Sequence, residues 1–158
     1  MASFGKRSTK RLETCHPHLR LVLDEAIRYV DFTILEGWRS EDRQNEMLET
    51  GMSTLAWPKS KHNRVATAED VEEGLAPNEG APLSRAVDVA MYHKDLPHVR
   101  WDLRGEFYML GGLIRGIGAM VLPNGWVIRL GADWDRDGHT TDQTFMDLPH
   151  VELIELDA

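Results

Sequence analysis

The sequence predicts an α+β fold, a small and mostly antiparallel sheet with helices packed against it. Three observations carry that expectation. Residues 32–35, 85–91, 126–130 and 149–153 are short stretches rich in β-formers or alternating in character. Between them stand helical patterns, the clearest being Leu19, Val22, Leu23, Ala26, Ile27 and Val30, which share one helix face. The helical stretch 105–120 is apolar at Phe107, Leu110, Leu113, Ile114 and Ile117, yet carries Gly111, Gly112, Gly116 and Gly118. Each glycine costs about 1 kcal/mol against alanine inside a helix, so four of them point to close packing on a sheet.

The bulk numbers narrow the class. A chain of 158 residues suits one domain, read here as spanning 1–158, with a real core. A net charge of -8 argues against an electrostatic nucleic-acid binder, and the basic residues Lys6, Arg7, Lys10 and Arg11 read as a solvated face. Cys15 is the single cysteine, so no intrachain disulfide framework exists. No apolar run reaches membrane-spanning length, and no apolar run follows the basic N-terminus as a secretory signal requires. Synthesis in a cytoplasm is expected, with release needed before the protein could act outside.

In chain order, residues 8–14 begin a short helix anchored by Leu12. Cys15, His16 and His18 have metal-binding side chains, but Pro17 near the first helical position makes this the start of the next helix. The strand at 32–35 runs into Glu36-Gly37-Trp38-Arg39-Ser40. Ser40 is a good N-cap, and Glu41 and Asp42 put acid in the first helical turn. Arg39 therefore sits at a strand-to-helix junction, and Gln44, one turn into the helix, can point the same way. Residues 52–84 read as loop, with Ser60-Lys61-His62-Asn63 early in it and a short helix at 67–73. So long a loop in a small domain is usually functional or mobile. In the strand 85–91, Asp88 is a lone carboxylate among small and β-branched residues, aimed into a cleft. His93 and His98 read as surface histidines, and Pro123-Asn124-Gly125 as a turn.

Asp133-Trp134-Asp135-Arg136-Asp137-Gly138 matches the first half of an EF-hand loop. Position 12 is Thr144 where that loop needs a bidentate glutamate. Calcium at Asp133, Asp135 and Asp137 is thus set against a plain acidic turn. Last comes Asp147-Leu148-Pro149-His150-Val151-Glu152-Leu153. Pro149 suits the start of a strand, because it has no N–H to give the ladder. His150 and Glu152 then face one way, Val151 and Leu153 the other.

His62, Asp88 and His150 can be joined as two imidazoles and one carboxylate, a ligand set that leaves a catalytic zinc one open position. Asp147, three residues before His150, is placed to act as base. Arg39 with Gln44 is placed to stabilise an oxyanion. Glu152 is the structural partner behind them.

These stretches resemble the M15 family of zinc peptidases: Glu36-Gly37-Trp38-Arg39-Ser40 with Gln44, Ser60-Lys61-His62-Asn63, Ala86-Val87-Asp88-Val89-Ala90 and Asp147 to Leu153. Within it they are most similar to phage endolysins that act as L-alanyl-D-glutamate peptidases, from about Ser8 to Leu153, including Cys15-His16-Pro17 and the acidic turn. The resemblance implies the zinc D-Ala-D-Ala carboxypeptidase/hedgehog-like fold. It implies Zn2+ on His62, Asp88 and His150, Asp147 as base, and Arg39 and Gln44 at the substrate carbonyl, with Ser60 near the metal. It implies hydrolysis of the L-alanyl-D-glutamate bond of bacterial peptidoglycan at the cell wall after release, for host lysis or for trimming the wall during infection; a monomer is expected. One departure is a long run between His62 and Asp88. Residues 64–81 read as an insertion forming a lid or rim, and Asp70 within it competes with Asp88 as ligand. The rival activities are a D-alanyl-D-alanine carboxypeptidase or dipeptidase, and a non-catalytic zinc-stabilised binding domain. The latter would need neither Asp147 nor Arg39.

Overall fold

The β-forming stretches fold as strands β1 (Phe32–Glu36), β2 (Ala86–Met91), β3 (Trp126–Leu130) and β4 (His150–Glu155). The computed structural model, which describes residues 1–157, joins them in one sheet of order β1-β2-β4-β3, antiparallel at every pairing. Five helices accompany them: α1 (Lys6–Leu12), α2 (Pro17–Ala26), α3 (Glu41–Glu49), α4 (Ala68–Glu72) and α5 (Arg104–Val121). The α+β expectation holds.

Strand alternation sorts the sheet into two faces. Ile34 lies opposite Val89, Val87 opposite Val151, and Ile128 opposite Leu153. All six are buried in the core with Leu19, Val22 and Leu23 of α2 and Leu110, Ile114 and Ile117 of α5. Each such side chain contributes about 1.5–3 kcal/mol by leaving water. The glycines of α5 divide: Gly111 and Gly118 face the sheet, where added Cβ atoms would lie 3.2 Å from Leu130 and 2.6 Å from Ile128. Gly112 and Gly116 have no such neighbour within 4 Å, so only the first pair packs on the sheet as expected.

The other face carries the polar partners. Asp88 pairs with His150, and Arg129 with Glu152. A β-bulge between Ile34 and Glu36 brings Glu36 opposite Asp88. Without that extra residue, alternation would send Glu36 into the core. At the outer edge of β1, Ile34 N–H donates to Ser8 Oγ at 3.1 Å and Arg11 donates to the Ile34 carbonyl at 2.8 Å. Two side chains of α1 thereby occupy ladder groups that an edge strand otherwise leaves open.

Residues 64–81 form an excursion closed at its neck by Ala66 N–H to Ala81 O at 2.8 Å and Leu83 N–H to Arg64 O at 3.1 Å. It carries α4, whose cap Thr67 and third residue Asp70 form a reciprocal capping box. None of its residues lines the cleft on the polar face. Residues near 52–61 and 145–149, with Trp101 and Trp134, line the cleft beside which 64–81 was expected as a lid or rim.

Candidate active site

Three routes of the chain deliver the candidate ligand atoms of His62, Asp88 and His150. Asp88 and His150 come from directly paired positions of β2 and β4, so sheet register sets their separation. His62 comes from the 3-10 turn Lys61–Asn63, whose Ser60 and Asn63 form a second capping box. Asn63 Nδ2 also donates to Arg39 O at 3.1 Å, and Arg39 N–H donates to His62 O at 2.9 Å. The turn is thus tied to the β1–α3 junction.

Each imidazole is fixed through the nitrogen it does not present. His62 Nδ1–H donates to Gly37 O at 2.7 Å, leaving Nε2 facing the cleft. His150 Nε2–H donates to Glu152 Oε2 at 3.1 Å, leaving Nδ1 facing it. Such outer contacts set tautomer and ring orientation in metal sites. The presented atoms form a near-equilateral triangle. His62 Nε2 lies 3.3 Å from His150 Nδ1 and 3.5 Å from Asp88 Oδ1, and His150 Nδ1 lies 3.3 Å from Asp88 Oδ1. A tetrahedral ion with bonds of roughly 2.0–2.1 Å has ligand-to-ligand edges of about 3.3–3.4 Å. Donor type, tautomer and spacing all fit one small divalent cation.

The same groups bias one another's charge. Burial alone would raise the Asp88 carboxyl, but His62 and His150 hold it far below the ordinary range. Against burial, which favours the neutral ring, Asp88 and Glu152 lift His150 to about 9. Glu152 is itself buried and held low, against its burial, by His150 and Arg129.

Asp147 Oδ2 lies 4.0 Å from His150 Nδ1, beside the triangle without joining it. Asp147 N–H donates to Gly131 O at 2.9 Å, and Gly131 N–H donates to His150 O at 2.8 Å. A Cβ on Gly131 would fall 2.1 Å from Asp147 O and 2.9 Å from His150 Cβ. Only glycine permits this approach. Burial and the nearby Asp88 charge push the Asp147 carboxyl up.

Arg39 is 5% exposed, its guanidinium gripping Glu36 Oε2 at 2.6 and 3.1 Å and reaching within 3.7 Å of Asp88. Gln44 is wholly buried. Its Oε1 accepts from Arg39 and Asn63, and its Nε2 donates to Ser53 and Leu55 O. Every polar atom of Gln44 is thus engaged inside the protein. Ser60 Oγ accepts from His62 N–H at 3.3 Å and braces the turn. Asp70 belongs elsewhere: Arg64 binds both its oxygens at 2.8 and 2.9 Å, and despite burial Arg64 and Thr67 hold it at about 2. His16, with Nδ1 accepting from His18 N–H at 3.1 Å, caps α2 as the helix-start reading expects.

The acidic turn also gathers Asp133, Asp135 and Asp137 within 4.8 Å of one another. Its carboxylates already have partners: Arg115 and Gly138 N–H on Asp133, Gln143 on Asp135, His139 N–H on Asp137.

The family model for phage L-alanyl-D-glutamate peptidases matches residues 1–154. The chain belongs to that family. It is 29% identical over 157 residues to the L-alanyl-D-glutamate peptidase of Escherichia phage T5, covering 96% of this chain and 97% of the phage protein. Its fold is similar to the Serratia marcescens L-Ala D-Glu endopeptidase ChiX, with a TM-score of 0.66 and 25% identity over 97% of this chain and 91% of that one.

For this member of the phage L-alanyl-D-glutamate peptidases, sequence reading singled out the residues that meet in the cleft, and Glu152 behind His150, but missed others that fix them. Glu36 needed the bulge to be seen, and Gly37 and Gly131 act through backbone. Trp134, whose ring lies tilted with its centroid 5.3 Å from that of His150, lay hidden inside the EF-hand-like pattern.

Proposed function

We propose that this protein is a zinc-dependent peptidoglycan peptidase, hydrolysing the L-alanyl-D-glutamate bond of the stem peptide as its relatives' names describe. The observation that carries the reading is the tetrahedral-edge triangle of His62, Asp88 and His150 with Asp147 beside it. Zinc there would supply Lewis acidity and make water acidic enough to lose a proton near neutral pH. Asp147 would be the group that accepts a proton from the attacking water and hands it to the leaving amine; its raised pKa brings it nearer the working pH. Arg39 stabilises negative charge developing on the carbonyl oxygen. Gln44 and Glu36 are positioning residues that hold the guanidinium in place.

The protein acts as one domain over 1–158, with 64–81 as an excursion away from the cleft, and as a monomer. It is made in the host cytoplasm and reaches the wall after release. Mass spectrometry of digested sacculi tests the bond. New L-alanine C-termini and D-glutamate N-termini are expected, whereas released D-alanine would transfer the protein to the carboxypeptidase reading.

A second reading, calcium at Asp133, Asp135 and Asp137, draws on one observation: Asp133 is 1% exposed, and its Oδ1 is buried with no protein partner. Calorimetry on the zinc-loaded protein tests it. Calcium heat in the wild type and none in Asp135→Ala is expected; no heat at millimolar calcium would end the reading.

A further inference from the structure

The chain carries a net charge of -8, yet its cleft has the opposite sign. Six cationic side chains line it against four carboxylates, Glu36, Asp88, Asp147 and Glu152. A cleft that reverses the sign of its protein concentrates ligands of the complementary charge. Most of those cations already have work inside the fold. Arg39 and Arg43 share Glu36, Arg129 pairs with Glu152, and Arg11 donates to Ile34 O at the sheet edge. Lys59 and Lys61 remain: both are exposed, and among the described residues neither has a carboxylate partner.

Lys61 is the better placed of the two. It immediately precedes the ligand His62, so its Cα lies about 3.8 Å from that of His62. Its backbone is immobilised, with Lys61 O accepting Arg85 N–H at 3.1 Å and the capping box closing the turn. A rigid backbone carrying an ammonium with no carboxylate partner, on the wall of the cleft that holds the triangle, suits a fixed negative group near the reacting bond. The proposed substrate has one. A D-glutamate whose nitrogen lies in the scissile amide keeps two carboxyl groups; one continues the peptide and the other is free unless amidated.

Resting on the peptidase reading above, we infer that Lys61 pairs with the free carboxylate of the substrate D-glutamate, with Lys59 as an outer charge, and so sets a preference for acidic over amidated stem peptides. This is a binding role and does not alter the bond chosen.

The test compares two muramyl stem peptides, one with the free D-glutamate carboxylate and one with that carboxylate amidated, using zinc-loaded wild type, Lys61→Gln, Lys61→Arg and Lys59→Gln. The wild type should favour the acid by about tenfold in kcat/KM, the scale of one charge-assisted hydrogen bond open to solvent. Lys61→Gln should lose that preference through a higher KM on the acid alone, with little change on the amide. Lys61→Arg should keep most of it, and Lys59→Gln should lower it less than Lys61→Gln. Salt should shrink the wild-type preference. Equal cleavage of both peptides by the wild type, or an equal loss on both in Lys61→Gln, would overturn the inference while leaving the peptidase reading intact. Loss of the preference in Lys59→Gln alone would overturn the assignment to Lys61. Cleavage of neither peptide by the zinc-loaded wild type would remove the peptidase reading, and this inference with it.

Discussion

The cleft triangle and the acidic turn each bring three ligand side chains within 4.8 Å, and they are built in opposite ways. The triangle draws on a turn and two strands, with Asp88 and His150 in register and every spare imidazole nitrogen engaged. The turn draws on three neighbours in one loop, two of them exposed, each with a partner that an ion would displace. Closeness in sequence made the second pattern easy to notice; the first is legible only in space, where its donors already hold a fixed orientation. What separates them is preorganisation, which determines how much rearrangement binding requires.

The contrast is sharpest under ligand deletion. His62→Ala, Asp88→Ala and His150→Ala should each lose bound zinc and fall to background turnover on sacculi, because three ligands leave no spare. Asp70→Ala should keep both, read by atomic absorption beside turnover. Zinc loss in Asp70→Ala with retention in Asp88→Ala would reverse the ligand assignment.

Asp147→Asn comes next. It keeps shape but cannot take a proton, so turnover should drop roughly 10²–10⁴-fold with zinc content unchanged. The wild-type kcat/KM profile should carry the same message. A base must be ionised to work, so activity is lost as pH falls through its pKa, and Asp147 is raised above the ordinary 3.8 by burial and by Asp88. An acid limb at the unshifted carboxylate value would contradict that environment.

Arg39→Ala should cost roughly 10²–10³-fold, on the scale of other oxyanion donors. Glu36→Gln should cost less, about tenfold, since Gln44 still holds one arm of Arg39. A Glu36→Gln loss as large as that of Arg39→Ala would show that the guanidinium depends wholly on its carboxylate.

The smallest effect belongs to the turn. Asp135→Ala should leave zinc content and calcium-free turnover within about twofold of wild type, because Asp135 is exposed and its carboxylate bonds Gln143 within the turn. A collapse of zinc binding there would mean that the turn supports the triangle directly.

The sequence made the periodic parts of this molecule legible. The helices and strands follow from apolar spacing, and the polar face of β4 from alternation at His150 and Glu152. Asp88 was separable from Asp70 because one sits among β-branched residues and the other in an acidic helical run. Spacing could not show the bulge that brings Glu36 opposite Asp88, since β1 reads as regular up to its end. It could not show that Gln44 faces inward, because burial there depends on Ser53 and Leu55 in a loop with no periodic pattern. Nor could it place 64–81 away from the cleft, because the direction of an excursion is set by the backbone bonds at its neck.

The side chains of Ser8 and Arg11 at Ile34 have a further bearing on handling the protein. A shortened chain that starts after Leu12 would present β1 as an open seam, ready to zip onto the same strand of another copy. Such a truncation should be recovered as a scattering, thioflavin-positive suspension, while the full-length chain stays clear at equal concentration. The opening helix is therefore a selvedge, and fusion partners are better attached ahead of it than in place of it.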